Sequence, residues 1–265
     1  MAELIIHADD YGLTSSVSQG ILDAHAHGIV TSTSILMTHV TPKELAWAKA
    51  EPTLDFGIHL NLTSGPPLSG AAGVPHLVGE RRVFAVPRST VADDPHPRFD
   101  FSQVPETELR TELAAQVRAG LATGLTITHL DTHHHIARSP QVWEIVIDLA
   151  SDHGLALRSL DAVQREDCLD AGVPTSHRFL GQWFGGGTGG VEGLLDATLA
   201  LGEGPIGELM CHPGRESEIL AAISSYSAER QAELTVLQDP AVRRALRERG
   251  VRLIGWGDLL EPANL

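Results

Sequence analysis

The fold is decided by the segment ELIIHADDYGLTSSVSQGILDAHAHG, residues 3–28, in which a short apolar run is followed by an amphipathic stretch. A short apolar run bounded by polar residues is typical of a buried strand, and the apolar spacing after it is typical of a helix. The link between the two carries adjacent aspartates, Asp9 and Asp10. The segment therefore predicts a βα unit, the building block of a parallel sheet covered by helices.

The same alternation continues along the chain. Strands are predicted within residues 29–36, 56–63, 125–132, 155–160, 207–213 and 251–256, and helices within residues 41–52, 106–124, 140–154 and 227–250, the last one broken near Asp239-Pro240. The total of about seven or eight strands favours a (β/α) barrel of the TIM-barrel type, regular or irregular, over the alternative of an open doubly wound sheet. The whole chain, residues 1–265, is predicted to form one domain.

Two segments lack either pattern. Residues 64–101 are rich in Gly and Pro and predict a lid, a binding loop or a poorly ordered excursion. Residues 184–193, FGGGTGGVEG, predict a flexible loop, and no Lys-Ser/Thr pair follows the glycines as a phosphate-binding loop would require.

Composition narrows the range of functions. A net charge of −15 argues against nucleic acid as a partner, because such binding depends on clustered Lys and Arg. The sequence shows neither a secretion signal nor a membrane-spanning run, so we expect a cytoplasmic protein without a membrane partner. Its two cysteines, Cys168 and Cys211, fit a reducing compartment. Formation of a homo-oligomer is left open by the sequence.

Side chains able to bind a metal stand at the ends of three predicted strands. They are Asp10 after LIIHA, His59 within GIHLNL, and His133 in LDTHHH. In a parallel barrel the carboxyl ends of the strands meet at one rim, where active sites are built. One carboxylate and two imidazoles would leave coordination positions open for water and substrate, which is typical of a catalytic site. We therefore predict one divalent metal ion, with magnesium or zinc preferred.

Each of these residues also has a structural interpretation. Asp9-Asp10 is able to cap the helix that follows, His59 to be a hydrogen-bonded core histidine, and the three consecutive histidines to form a solvated turn. The joint occurrence of all three at strand ends favours the metal site. Because successive strand residues point to opposite sides, we assign Asp10 to the metal and Asp9 to the role of general base.

Four further residues are candidates for the same site. Arg158, at the end of LALRSL, is predicted to be the cation that keeps Asp9 ionised, with a surface ion pair as the alternative. His212, after GELMC, is predicted to protonate a leaving group, with a turn histidine as the alternative. Asp131 and His135 flank His133 at a spacing of two and are predicted to orient the ligands or contact substrate, whereas His134 should point away.

Five motifs in this order resemble the carbohydrate deacetylases of the YdjC/ChbG type: HADDYGLT, GIVTSTSILM, GIHLNLTSGPPL, THLDTHHH and ELMCHPG. The resemblance spans residues 6 to 214. It implies a barrel-like fold and metal-dependent hydrolysis of the N-acetyl group of an amino sugar. It also implies that Asp10, His59 and His133 are metal ligands, Asp9 the base and His212 the acid.

The chain departs from the family pattern at two positions. His7 stands where the family usually has Asn, and Ala137 where it commonly has another His, so the resemblance leaves the particular sugar undefined. Two other functions stay open at this stage. One is metal-dependent phosphoester cleavage, for which a second metal and a basic phosphate clamp are missing from the sequence pattern. The other is an inactive sugar-binding module.

Overall fold

The structure is a computed structural model that describes residues 2–89, 98–181, 183, 190–199 and 205–260. Its strands are β1 (Ala2–Tyr11), β2 (Ser32–Ile35), β3 (Asp55–Leu60), β4 (Arg88–Ser89), β5 (Arg98–Phe99), β6 (Ile127–Thr132), β7 (Ala156–Leu157), β8 (Arg178–Leu180), β9 (Ile206–Cys211) and β10 (Val251–Ile254). Its helices are α1 (Ser15–Ala26), α2 (Pro42–Ala48), α3 (Glu106–Leu121), α4 (Pro140–His153), α5 (Ala162–Asp170), α6 (Gly190–Leu199), α7 (Glu218–Ile223), α8 (Ala228–Leu237) and α9 (Pro240–Glu248). Short 3-10 helices cover His133–Arg138 and Gly257–Leu259.

Eight strands form one parallel sheet around β1. Seven follow the order β7-β6-β3-β2-β1-β9-β8, and β10 pairs with the first residues of β1. Strand β1 is buried from Leu4 to Tyr11, as expected for a strand covered on both faces. The α/β class and the number of strands are therefore as predicted from the sequence.

The predicted TIM-barrel-like fold is confirmed in part, because the described strands form a curled half-barrel that is not closed: its end strands β7 and β8 do not pair. The chain leading into β8 covers the gap instead. The Leu157 amide donates to the carbonyl of Pro174 at 2.9 Å, and the Thr175 hydroxyl donates to the carbonyl of Leu157 at 2.6 Å. Proline at position 174 has no N–H, which prevents a regular ladder at this point.

Helix ends follow local sequence signals. The Thr14 side chain accepts from the Val17 amide and caps α1, so the cap is Thr14 and not the Asp9-Asp10 pair, which lies inside β1. Helix α8 ends at Leu237, and Pro240 opens α9 after the Asp239 cap, so the predicted break near Asp239-Pro240 is confirmed.

Among the described residues, no helix is both long enough and apolar enough to cross a membrane.

Part of the predicted loop at residues 64–101 is held against helix α3. Two carboxylates of this helix accept hydrogen bonds from the loop. Glu112 accepts from the Leu68 and Ser69 amides, and Glu108 accepts from the His76 amide. Residues 90–97 of this loop, and residues 184–189 of the predicted glycine-rich loop, lie outside the described part of the chain. The described portion is thus a fixed rim, with Ser64 and Arg88 bordering the cavity considered below.

Gly57 in β3 has no side chain, which leaves room for a buried imidazole of the neighbouring strand β6. A Cβ at this position would lie 2.3 Å from Nε2 of His129, whose ring stacks on Trp256 at 5.3 Å. We expect Gly57→Ala to lower the free energy of unfolding by about 1–3 kcal/mol, because the ring has to shift in a packed core. Urea unfolding measures this, with the exposed Gly73→Ala as control. Equal stability of the two variants would contradict the prediction.

Candidate active site

Most of the predicted site residues line one cavity at the carboxyl ends of the central strands, whereas Asp131 and Arg158 are not part of its lining. The cavity has a volume of about 320 Å³. Its lining includes Asp9, Asp10, His59, His133, His134, His135, Met210, His212, Tyr226 and Arg230. Strands β1, β3, β6 and β9 deliver most of these side chains, since parallel strands end at one edge of the sheet.

Asp10, His59 and His133 converge on one point. One ligand atom from each lies within 4.8 Å of the others, and all three residues are buried. Oδ1 of Asp10 lies 3.3 Å from Nε2 of His59 and 2.9 Å from Nδ1 of His133. Asp10 has a φ of 75°, a left-handed conformation that is uncommon outside glycine and that turns its side chain toward the imidazoles.

This trio fits a divalent cation. Oδ1 of Asp10 is buried and receives no well-directed hydrogen bond from the described residues, so a lone pair faces the two imidazoles. A carboxylate oxygen and two imidazole nitrogens form a donor set that zinc and other divalent ions accept. His59 and His133 also lie edge to face, with ring centroids 5.3 Å apart, so their rings are already fixed.

Asp131 orients His59 from behind. Its Oδ1 lies 2.8 Å from Nδ1 of His59, which leaves Nε2 directed toward Asp10. Such a carboxylate partner fixes the tautomer and the ring orientation of a ligating histidine. Burial lowers the pKa of His59, but the charge of Asp131 and the contacts with Asp10 outweigh it and raise this pKa to about 10. A bound metal would take the place of that proton, because a ligating imidazole must be neutral.

Arg158 is a buried cation and not a surface ion pair. Its two terminal nitrogens donate to the two oxygens of Asp9 at 2.9 and 2.8 Å, and Nε donates to Glu208 at 2.7 Å. Nη1 also lies 2.9 Å from Oδ2 of Asp131. Burial raises the pKa of Asp9, but the adjacent guanidinium outweighs this and holds it below the ordinary value. Asp9 is therefore a carboxylate at neutral pH.

His212 lies on the other side of Asp9. Its Nε2 is 3.8 Å from Oδ2 of Asp9, and its backbone amide donates to Oε2 of Glu233 at 2.5 Å. Burial lowers the pKa of the His212 imidazole to about 4, so this ring is neutral at pH 7. The other oxygen of Glu233 accepts from the hydroxyl of Tyr226, which fixes the wall around His212.

The three consecutive histidines do not alternate as strand residues would. Strand β6 ends at Thr132, and His134 and His135 have φ values of 53° and 52°, in the left-handed region. His135 lines the cavity, and its role in orienting ligands or contacting substrate stays a prediction. The prediction that His134 points away is wrong, because its ring also lines the cavity, stacks on Phe99 and hydrogen-bonds Thr63. The left-handed backbone at His134 and His135 removes the alternation on which that prediction depended.

Sequence reasoning missed Arg230 and Glu233, which helix α8 brings to the site. Together with Leu234 and Leu237 they are the buried residues of this helix, at positions i, i+3, i+4 and i+7. These positions form the inward stripe of a helix, where two charged residues are unusual. That pattern was a usable signal, and it predicts buried ionic partners for both side chains.

The chain matches a known protein family over most of its length. The family model described as YdjC-like protein matches residues 3–248. The chain belongs to the YdjC-like family.

Relatives of this YdjC-like protein cover its whole length. It is 34% identical over 260 residues to a carbohydrate deacetylase of Thermoanaerobacter pseudethanolicus, covering 98% of this chain and 100% of the relative. It is 36% identical to a carbohydrate deacetylase of Geobacillus stearothermophilus, covering 95% and 96% of the two chains. A crystal structure from Enterococcus faecalis V583, provisionally named for cellobiose-phosphate cleavage, has a TM-score of 0.84 and 30% identity, covering 97% and 98%.

The two departures from the family pattern lie outside the described lining of the cavity of this YdjC-like protein. His7 is fully buried, with Nε2 placed 3.4 Å from both Asp9 and Asp131 and 3.2 Å from the Ser34 hydroxyl. Ala137 is buried beneath a different surface groove. His7 therefore reaches the site through Asp9 and Asp131, whereas Ala137 contributes to the other groove.

Proposed function

We propose that this chain is a metal-dependent hydrolase that removes an N-acetyl group from an amino sugar or an N-acetylated oligosaccharide and releases acetate. The observation that carries the proposal is the convergence of Asp10, His59 and His133 beside the Asp9–Arg158 pair. The names of the relatives, carbohydrate deacetylases over nearly the full chain, support the sugar substrate.

Asp10, His59 and His133 would hold one divalent ion. When bound, such an ion polarises a carbonyl oxygen and makes water more acidic, which is the chemistry that amide hydrolysis needs. Asp9 accepts a proton from the attacking water, and Arg158 keeps Asp9 ionised and directed toward the cavity. The buried location of all these groups strengthens their electrostatic interactions.

His212 is assigned to the leaving amine. Because its imidazole starts neutral, it needs a proton before it can protonate nitrogen. The proton that Asp9 takes from water has a short path to it, since Nε2 of His212 lies 3.8 Å from Oδ2 of Asp9. As the amide C–N bond breaks, the amine gains this proton, and the products are acetate and a free amino sugar.

The described residues around Asp9 and Asp131 argue against the phosphoesterase alternative. The second cluster with metal-ligand spacing, His7, Asp9 and Asp131, would be the place for a second ion. The guanidinium of Arg158 already donates to Asp9 and lies 2.9 Å from Oδ2 of Asp131. A cation on those carboxylates would have to displace a buried arginine, which argues against a two-metal mechanism.

Acetate release tests the proposal. Protein stripped with EDTA and reloaded with Mg²⁺ or Zn²⁺ is incubated with a panel of N-acetylated mono- and oligosaccharides. We expect the reloaded protein to release acetate and the stripped protein to lose at least about 99% of this activity, because the Lewis acid is gone. Cleavage of a phosphodiester without acetate release would instead favour the phosphoesterase. Sugar binding without any acetate release would favour the inactive module.

A further inference from the structure

The two carboxylate oxygens of Asp10 have different partners, and Arg230 is one of them. Its Nη2 donates to Oδ2 of Asp10 at 2.5 Å, whereas Oδ1 of the same carboxylate faces His59 and His133. The Arg230 side chain is 4% exposed, so the pair is shielded from water. Every contact of Oδ2 with a metal would therefore compete with a buried, charge-assisted hydrogen bond.

Several contacts fix Arg230 in this position. Its Nε donates to the carbonyl of Tyr226 at 3.0 Å, and its guanidinium lies 5.7 Å from the centre of the Tyr226 ring. The backbone carbonyl of Arg230 accepts from the amide of Gly214 at 3.1 Å, which ties helix α8 to the loop after β9. A buried arginine is costly unless it is paired, and Asp10 is the anionic partner that the structure gives it.

We infer that Arg230 is a positioning residue that restricts Asp10 to one ligand oxygen and so keeps a coordination position open for water and substrate. The inference rests on the metal site proposed above. A carboxylate binds metals through one or both of its oxygens, and the second mode fills an additional position. Catalytic sites need such a position to stay open. With Oδ2 held by Arg230, only Oδ1 is directed toward His59 and His133.

Crystal structures of zinc-loaded protein test this. In the wild type we expect Oδ1 of Asp10 at a bonding distance of about 2.0–2.2 Å from zinc, with Oδ2 still on Arg230. In Arg230→Met both oxygens of Asp10 should contact zinc, because Oδ2 has lost its donor. Arg230→Leu, which also lacks a donor, is a second loss variant with the same expectation should the methionine variant fail to fold. Arg230→Lys should keep the single contact, because an ammonium still pairs with Oδ2.

Activity adds a second measurement. We expect kcat for acetate release to fall at least about tenfold in Arg230→Met with zinc content unchanged, and to recover in part in Arg230→Lys. Arg252→Met removes the exposed partner of Glu3 at the far end of the sheet and serves as the control, with no change in zinc geometry or kcat.

Each contrary result has a distinct meaning. Zinc bound by both Asp10 oxygens in the wild type overturns the role of Arg230 and leaves the metal site intact. A single Asp10 contact in both loss variants also overturns it, because Arg230 would then only balance charge. Absence of zinc from Asp10, His59 and His133 in the wild type overturns both proposals. Correct zinc geometry without acetate release overturns the proposed function alone.

Discussion

Replacing Asp9 by asparagine is expected to lower kcat for acetate release by about 10²–10⁴-fold while zinc content stays at the wild-type level. The reason is that the two adjacent aspartates have different neighbours and different proposed roles. Asp10 faces the two imidazoles, whereas Asp9 is held by Arg158 and lies 3.8 Å from His212. An asparagine keeps one oxygen for Arg158 but cannot accept a proton from water.

The measurement combines steady-state kinetics with elemental analysis of the same preparation. Asp23→Asn is the matched control, because Asp23 pairs with Arg215 on the exposed surface. We expect the control to retain wild-type kcat. Unchanged turnover in Asp9→Asn would remove this residue as the base. Loss of zinc in Asp9→Asn would instead show that Asp9 belongs to the metal site.

Replacing Arg158 by methionine is expected to lower the free energy of unfolding by about 3–5 kcal/mol. The guanidinium lies among three buried carboxylates, those of Asp9, Asp131 and Glu208, within 2.9 Å of each. Burial raises the pKa of Glu208, while Arg158 opposes this increase. Without the arginine, these buried carboxylates lose the cation that they share, and His59, 2.8 Å from Asp131, can balance only part of their charge.

Urea unfolding of the metal-free protein measures this loss without a contribution from bound ions. Arg110→Met is the control, since Arg110 pairs with Asp148 on the surface, where 42% and 54% of the two side chains are exposed. We expect the control to cost less than about 1 kcal/mol. The double variant Arg158→Met, Glu208→Gln should recover part of the stability, because one buried charge is removed. Equal stability of Arg158→Met and Arg110→Met would refute the prediction.

Strand ends made the centre of the site predictable. The apolar runs before Asp10, around His59 and before His133 define where three strands end, and parallel strands bring those ends together whatever the loops between them do. The structure places the three side chains around one point, and their role as metal ligands stays a prediction. Arg158 was found by the same argument, although β7 ends one residue before it.

Other features depended on contacts that no local pattern encodes. The predicted orientation of His134 depended on the alternation of side chains along a strand. This alternation fails because the backbone is left-handed at His134 and His135. Arg230 reaches Asp10 across 220 positions of sequence, so only the packing of α8 reveals the pair. Strand β8 was missed because it is three residues long and begins with the exposed Arg178. The open side between β7 and β8 likewise depends on how far the sheet curls.

The position of β10 has a consequence for how this chain folds. Two strands pair along the same edge of β1: Ala2–Ile5 pair with residues 251–254 of β10, and pairing with β2 begins only at His7. This edge of β1 is therefore complete only when β10, which lies far along the chain, has paired with it. Pairing two strands so distant in sequence lowers the conformational entropy of the chain before the contacts between them are complete. Such pairing slows folding. We expect β1 to acquire its full protection from hydrogen exchange only after β10 has paired with it.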